Sequence, residues 1–186
     1  HGDAPINDAL ITLANKDFML DKQGNFGNIY TGDPASAARY IETRLSPLAK
    51  EAMFNPDLTK SIPSYDGRNS EPVSLPSKIP LLLMQGSEGI AVGMATKILP
   101  HNFIELLEAE IAILEGKKFE ILPDFPTGGS MDASDYAKGN GKVKIRARIE
   151  VKDDKTLIIK EICYGTNTES LTKSIDDAAK KGKIKI

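Results

Sequence analysis

The chain has 186 residues, of which 40% are hydrophobic and 27% charged, with a formal net charge of −2. That hydrophobic content excludes wholesale disorder, and the near-neutral balance excludes a generic basic nucleic-acid coat, so any nucleic-acid site must be a local patch. One cysteine, Cys163, excludes a disulfide framework or a cysteine-built zinc site within the chain, and no apolar run approaches membrane-spanning length, the best being Ile79 to Met84.

The chain opens on His1-Gly2-Asp3 without an initiator methionine and closes on Lys183-Ile184-Lys185-Ile186. It reads as an internal piece of a longer polypeptide. A first helix is predicted from Asp3 as N-cap, with Pro5 in the first turn and Ile6, Leu10 and Leu13 at i, i+4 and i+7. Gln23 to Asn28, with two glycines and two asparagines, is a loop. A second helix is expected from Asp33-Pro34, with Ala37, Ile41, Leu45 and Leu48 as its buried stripe, Tyr40 and Arg44 beside that stripe, and Pro47 bending or ending it. Asn55 to Ser77 is rich in Pro, Ser, Asp and Gly and reads as a connector, with a boundary between substructures near its end.

Pro76 to Thr96 mixes an apolar run with the glycines of QGSEGIAVG. A helix follows from Asn102, capped with Glu105 in the pattern, carrying Leu107, Ile111 and Leu114 and stopped by Gly116. Lys142 to Val151 alternates Val143, Ile145, Ala147, Ile149 and Val151 with Lys144, Arg146, Arg148 and Glu150, which predicts one ten-residue strand. Asp153-Asp154-Lys155 is the turn to a partner strand over 156–164, and a last helix spans about 169–180 with Leu171, Ile175 and Ala178 inward. The class is α+β.

Arg39-Tyr40, with Arg44 nearby, is the cluster that could carry chemistry. A phenol with a pKa near 10 is a poor nucleophile at neutral pH; neighbouring guanidinium groups favour the phenolate and can hold a phosphate oxygen. The competing reading, which the local residues alone favour, is a tyrosine flanking a core stripe with arginines for solubility. His1 is either a phosphate ligand or acid, or a solvated end residue; His101 reads as structural. Lys144, Arg146 and Arg148 form either a solvated strand face or a backbone-tracking basic stripe. Ile90, between Gly89 and Ala91, reads locally as core. QGSEGIAVG lacks the spacing of a phosphate loop. No DxD motif is present, so if the chain cuts DNA the metal ligands lie on another polypeptide.

A series of motifs runs along the chain in a fixed order. These are His1-Gly2-Asp3, Gln23-Gly24-Asn25-Phe26-Gly27, Ala38-Arg39-Tyr40 with Arg44-Leu45, Tyr65-Asp66-Gly67, the stretch from Pro76 to Thr96, Pro100-His101-Asn102, Asp124-Phe125-Pro126-Thr127 and Gly141 to Arg148. In that order they resemble the A subunit of bacterial DNA gyrase and topoisomerase IV, the DNA-cleaving subunit of type IIA topoisomerases. ATKILPHNF is more similar to the topoisomerase IV branch, with gyrase as the alternative. A non-catalytic DNA-binding module is the rival from another class.

The resemblance implies a fold and a division of labour. Residues 1–60 would be the C-terminal part of a winged-helix domain, with residues 3–14 as its recognition helix, and 61–186 part of a tower domain. Tyr40 would attack DNA to give a 5′-phosphotyrosyl enzyme, with Arg39 stabilising the transition state. His1 and Arg44 would contact DNA, and Ile90 would wedge between base pairs. Mg²⁺ and ATP would both be bound by a partner B subunit with Toprim and ATPase domains, and two A subunits would form a dimer on double-stranded DNA in the cytoplasm, without membrane. Where the family carries a serine after HGD this chain has Ala4, while an acidic residue is kept at Asp8. In the family that pair anchors fluoroquinolones through a water–metal bridge, so weakened drug binding is expected here.

Overall fold

The computed structural model describes residues 2–185, which divide into two compact units. One comprises the chain up to Gly27 together with Pro34–Leu81; the other comprises Asn28–Asp33 and the chain from Leu82 onward. The class is α+β, with antiparallel two-stranded pairs between helices.

The first unit begins with helix α1 (Asp3–Asn15), whose N-cap is Gly2 rather than Asp3. Its expected apolar stripe is present but largely uncovered: Ile6 and Leu10 are exposed, and only Ala14 is buried. Strand β1 (Leu20–Gln23) follows and pairs antiparallel with β2 (Glu42–Leu45), in register from Leu20↔Leu45 to Gln23↔Glu42.

The helix expected from Asp33 does not form. The segment is extended apart from a single 3₁₀ turn, Ala38–Tyr40, and then runs into β2. The 3.6-residue spacing of Ala37, Ile41, Leu45 and Leu48 is overridden by strand pairing, which satisfies the backbone of 42–45 against β1. A period-two signal is also present, for Ile41 and Thr43 are half-buried while Glu42 and Arg44 face out.

Pro47 starts a helix instead of ending one. It is the first residue of α2 (Pro47–Met53), where its missing N–H costs nothing. The buried Ser46 caps α2: its Oγ accepts from the Ala49 N–H at 3.0 Å and donates to the Phe18 carbonyl at 2.5 Å. Ala49 and Ala52 of α2 are buried, as are Met19, Leu20 and Phe26 of this unit. The connector holds a short hairpin, β3 (Ser61–Pro63) with β4 (Ser70–Pro72).

In the second unit the short helix α3 (Leu81–Gln85, beginning at the division) leads into a tight hairpin of β5 (Ser87–Ala91) and β6 (Met94–Ile98). Helix α4 (Phe103–Leu114) starts as expected: the Asn102 side chain accepts from the N–H groups of Ile104 and Glu105. It ends as expected at Gly116, φ +69°, where Gly116 N–H bonds the Ile113 carbonyl and Lys117 N–H the Ala112 carbonyl. Leu106 and Ala109 of α4, with Met84 and Phe125, form the buried set, and the Phe125 and Tyr164 rings lie 4.9 Å apart.

The expected strand over 142–151 is two strands. A short strand β7 (Ser130–Asp132) pairs with β8 (Lys144–Arg146), and after Ala147 the chain passes to β9 (Arg148–Asp153), which pairs with β10 (Thr156–Glu161). The alternation is continuous in sequence, but the hydrogen-bonding partner changes in the middle. Helix α5 (Thr168–Lys180) closes the unit through a capping box between Asn167 and Ser170, with Leu171, Ile175 and Ala178 half-buried on one side.

Candidate functional site

Tyr40 is the last residue of the 3₁₀ turn. Its N–H bonds the Ala37 carbonyl at 2.9 Å, and the next residue, Ile41, bonds back to Ala38 at 3.3 Å. Tyr40 is 65% exposed. The Arg39 guanidinium carbon lies 5.0 Å from its ring centroid. Arg39 and Tyr40 are therefore brought together, in a contact that adds roughly 0.5–1 kcal/mol at an exposed site.

Arg44 is not one helical turn from Tyr40, because no helix is there. It sits in β2, opposite Asp21 in the ladder, and its Nε donates to Asp21 Oδ2 at 3.1 Å. Both side chains are substantially exposed, so this pair contributes little to stability and can be exchanged for an anionic ligand.

A close approach that spacing could not reveal lies behind Tyr40. Gly24, φ +100°, follows the last rung of the β1–β2 ladder, and a Cβ there would stand 2.7 Å from the Tyr40 carbonyl oxygen and 3.1 Å from Ile41 Cγ2. The rest of its loop is fastened on both sides: Ser36 N–H bonds the Asn25 carbonyl at 3.0 Å, and Asn15 Nδ2 at the end of α1 donates to the Phe26 carbonyl at 2.9 Å. Phe26 itself is buried.

On α1, Ala4 and Asp8 are four residues apart, on one face and exposed. His1 lies outside the described residues.

The β5–β6 hairpin, by itself, presents a bare apolar tip. Ala91 pairs with Met94 around a two-residue turn, Val92-Gly93, with Gly93 at φ +77°. Ile90 is 87% exposed, and Val92 and Met94 are exposed beside it, so Ile90 is not core as its local sequence suggests. The hairpin's base is tied by an ion pair, Lys97 to Glu88 at 3.5 Å. Its root is tight: a Cβ on Gly86 would meet the Ile98 carbonyl at 2.8 Å. His101 is buried there, as its structural reading requires, with Nδ1 3.2 Å from the Leu83 carbonyl and Nε2 3.3 Å from the Tyr136 hydroxyl. A carbonyl can only accept, so Nδ1 carries a proton, and Nε2 shares its hydrogen bond with the Tyr136 hydroxyl.

The basic stripe is broken. Lys144 and Arg146 share one side of β8, whereas Arg148 belongs to the next strand pair. Lys144 lies 3.8 Å from Asp132, and Arg148 lies 3.4 Å from Glu161. The Ser134 hydroxyl and backbone N–H hold the Asp132 carboxyl below its usual range, with the charges of Lys144 and Arg146 adding to this against a small opposing effect of burial.

Among the described residues no three His, Cys, Asp or Glu side chains gather in a way that could hold a metal ion. Among the same residues no helix is long and apolar enough to cross a membrane.

The family of DNA gyrase/topoisomerase IV A subunits matches residues 1–186. The A subunit of DNA topoisomerase 4 from Borreliella burgdorferi is 57% identical over 186 residues, covering all of this chain and 30% of the relative. The DNA gyrase A subunit of Dehalogenimonas lykanthroporepellens is 40% identical over 209 residues, covering 99% of this chain and 26% of that protein. Its counterpart from Campylobacter jejuni is 41% identical, covering 97% of this chain and 23% of the relative. The chain thus spans less than a third of the length of these relatives.

Proposed function

Since the chain belongs to the family of DNA gyrase/topoisomerase IV A subunits, we propose that it forms part of the DNA-cleaving subunit of a type IIA topoisomerase, with Tyr40 as the nucleophile. The observation that carries this reading is the exposed Tyr40 phenol with the Arg39 guanidinium against its ring, in a chain matched by the family from end to end.

The chemistry follows from an exposed phenol beside a cation. Tyr40 Oη attacks a backbone phosphorus, the new Oη–P bond replaces the P–O3′ bond, the phenolic proton is lost, and the departing 3′ oxygen gains one. One ester replaces another, so the strand is resealed by the reverse step without external energy. Arg39 is placed to offset charge on the phosphoryl oxygens as they become crowded. Arg44, exchanging Asp21 for phosphate, contacts the DNA backbone, and His1 contacts DNA as well. Ile90, a bare aliphatic group at a hairpin tip, enters between base pairs and bends the duplex. Residues 1–60 act as part of the winged-helix domain and 61–186 as part of the tower.

The holoenzyme reading extends this. Two A subunits cut opposite strands of double-stranded DNA, while a B subunit binds Mg²⁺ and ATP. The greater identity to the topoisomerase 4 relative, 57% against 40% and 41% for the two gyrase relatives, favours the topoisomerase IV branch.

The test uses the full-length A subunit reconstituted with its B subunit, Mg²⁺ and supercoiled plasmid, then trapped with detergent. A covalent protein–DNA adduct is expected, and Tyr40→Phe abolishes it. An adduct that survives Tyr40→Phe overturns the assignment. In the same assay Ala4→Ser is expected to increase fluoroquinolone potency by about tenfold, the scale of restoring one partner to a metal-bound water. Unchanged potency overturns the drug-site reading of Ala4 and Asp8.

A further inference from the structure

The Tyr40 phenol must be aimed. An attacking oxygen must reach phosphorus in line, and a displacement of about 1 Å can cost on the order of a hundredfold in rate. Yet Tyr40 is 65% exposed, and the cation against its ring belongs to the flexible side chain of its neighbour, Arg39. Side-chain packing does not hold it. Its direction must then be set by its backbone.

That backbone rests on Gly24. The β1–β2 ladder stops at Gln23↔Glu42, and immediately beyond it the Gly24 Cα faces the Tyr40 carbonyl so closely that a Cβ would sit 2.7 Å from the oxygen. Gly24 is held in turn by its loop, whose Asn25 carbonyl accepts from Ser36 and whose Phe26 carbonyl accepts from Asn15 on α1. We infer that Gly24, seated in the Gln23–Gly27 loop and anchored to α1 by Asn15, is a positioning residue that sets the direction of Tyr40 for attack. The inference rests on the reading of Tyr40 as nucleophile and adds to it the element that orients it.

Two effects would accompany any side chain at Gly24, and they are separable. One is the left-handed backbone, which an L-residue adopts only with strain. The other is the contact with the Tyr40 carbonyl. Gly67, in the turn between β3 and β4 of the same unit, has φ +68° with nothing within 4 Å of its missing Cβ, so Gly67→Ala carries the first effect alone.

The experiment compares Gly24→Ala, Gly67→Ala and Asn15→Ala in the full-length A subunit with its B subunit. It measures DNA affinity and the single-turnover rate of covalent adduct formation. Gly24→Ala is expected to slow adduct formation by roughly ten- to a hundredfold while DNA affinity stays within about twofold, and Gly67→Ala to leave both near wild type. Asn15→Ala is expected to slow the adduct step in the same direction by a smaller factor, and it decides the matter if Gly24→Ala does not fold. Adduct formation by Gly24→Ala at the Gly67→Ala rate overturns the inference, as does a loss confined to DNA affinity; so does a wild-type rate for Asn15→Ala where that variant decides. A Tyr40→Phe control keeps the two levels apart. If it still forms the adduct, the nucleophile reading has failed; if it does not and Gly24→Ala reacts normally, only the positioning role has failed.

Discussion

Tyr40 and Ile90 are both bare side chains, 65% and 87% exposed, but the backbone beneath them differs. Under Tyr40 a 3₁₀ turn, a strand ladder and the close-packed Gly24 loop converge within a few residues. Ile90 stands near the tip of a hairpin supported by the ladder to β6, one rung before the turn. The contrast follows from what each group is proposed to do. A nucleophile is useful only along one line of approach, so its backbone is pinned. A wedge needs only to protrude and to prefer the inside of a base stack to water, so a two-stranded finger suffices.

Ile90→Ala gives the largest effect expected to break that comparison. Removing most of the wedge should lower bending of the duplex, read by end-to-end energy transfer, and slow cleavage by roughly ten- to a hundredfold, since bends of this kind cost of order 1–6 kcal/mol. Ile90→Leu should retain most of both, because bulk rather than aim is at stake. If the leucine variant were as defective as alanine, the wedge would prove to be as finely placed as the nucleophile. A smaller effect sharpens the other side. Ser46→Ala removes both the α2 cap and the hydroxyl bond to Phe18 beside the β1–β2 ladder. It should cost about 1–2 kcal/mol, seen as faster amide exchange in that ladder. Exchange in β5–β6 should be unchanged; equal acceleration in both hairpins would contradict the local character of that support.

Legibility in the sequence follows the range of the interactions. The boundaries of α4 are readable because Asn102 and Gly116 act on their own helix within a few residues. The segment after Asp33 misleads because its strand pairing is settled by residues some twenty positions earlier, and a helical spacing of four apolar residues is the stronger local signal. The run from Lys142 to Val151 does alternate as expected, but alternation says nothing about partners, and these change at Ala147. At the candidate site, adjacency alone brings Arg39 to Tyr40. Arg44 is displaced by the absence of the same expected helix, and its pairing with Asp21 is invisible without the ladder. Gly24 is legible only as part of a loop. Its closeness to Tyr40 is a contact across sixteen residues with no periodic signature, though its place directly after a strand is a hint.

The short segment Asn28–Asp33 belongs to the second unit although the chain on both sides of it belongs to the first. Its Tyr30 carbonyl accepts from the N–H and hydroxyl of Thr168, 138 residues later, at 2.8 and 2.9 Å. During synthesis at about 5–20 residues per second, that carbonyl therefore waits roughly 7 to 28 seconds for its partner to be made. The strands around Tyr40 can pair long before then, so the support of the proposed nucleophile precedes, in the order of birth, the closure of the neighbouring loop in sequence.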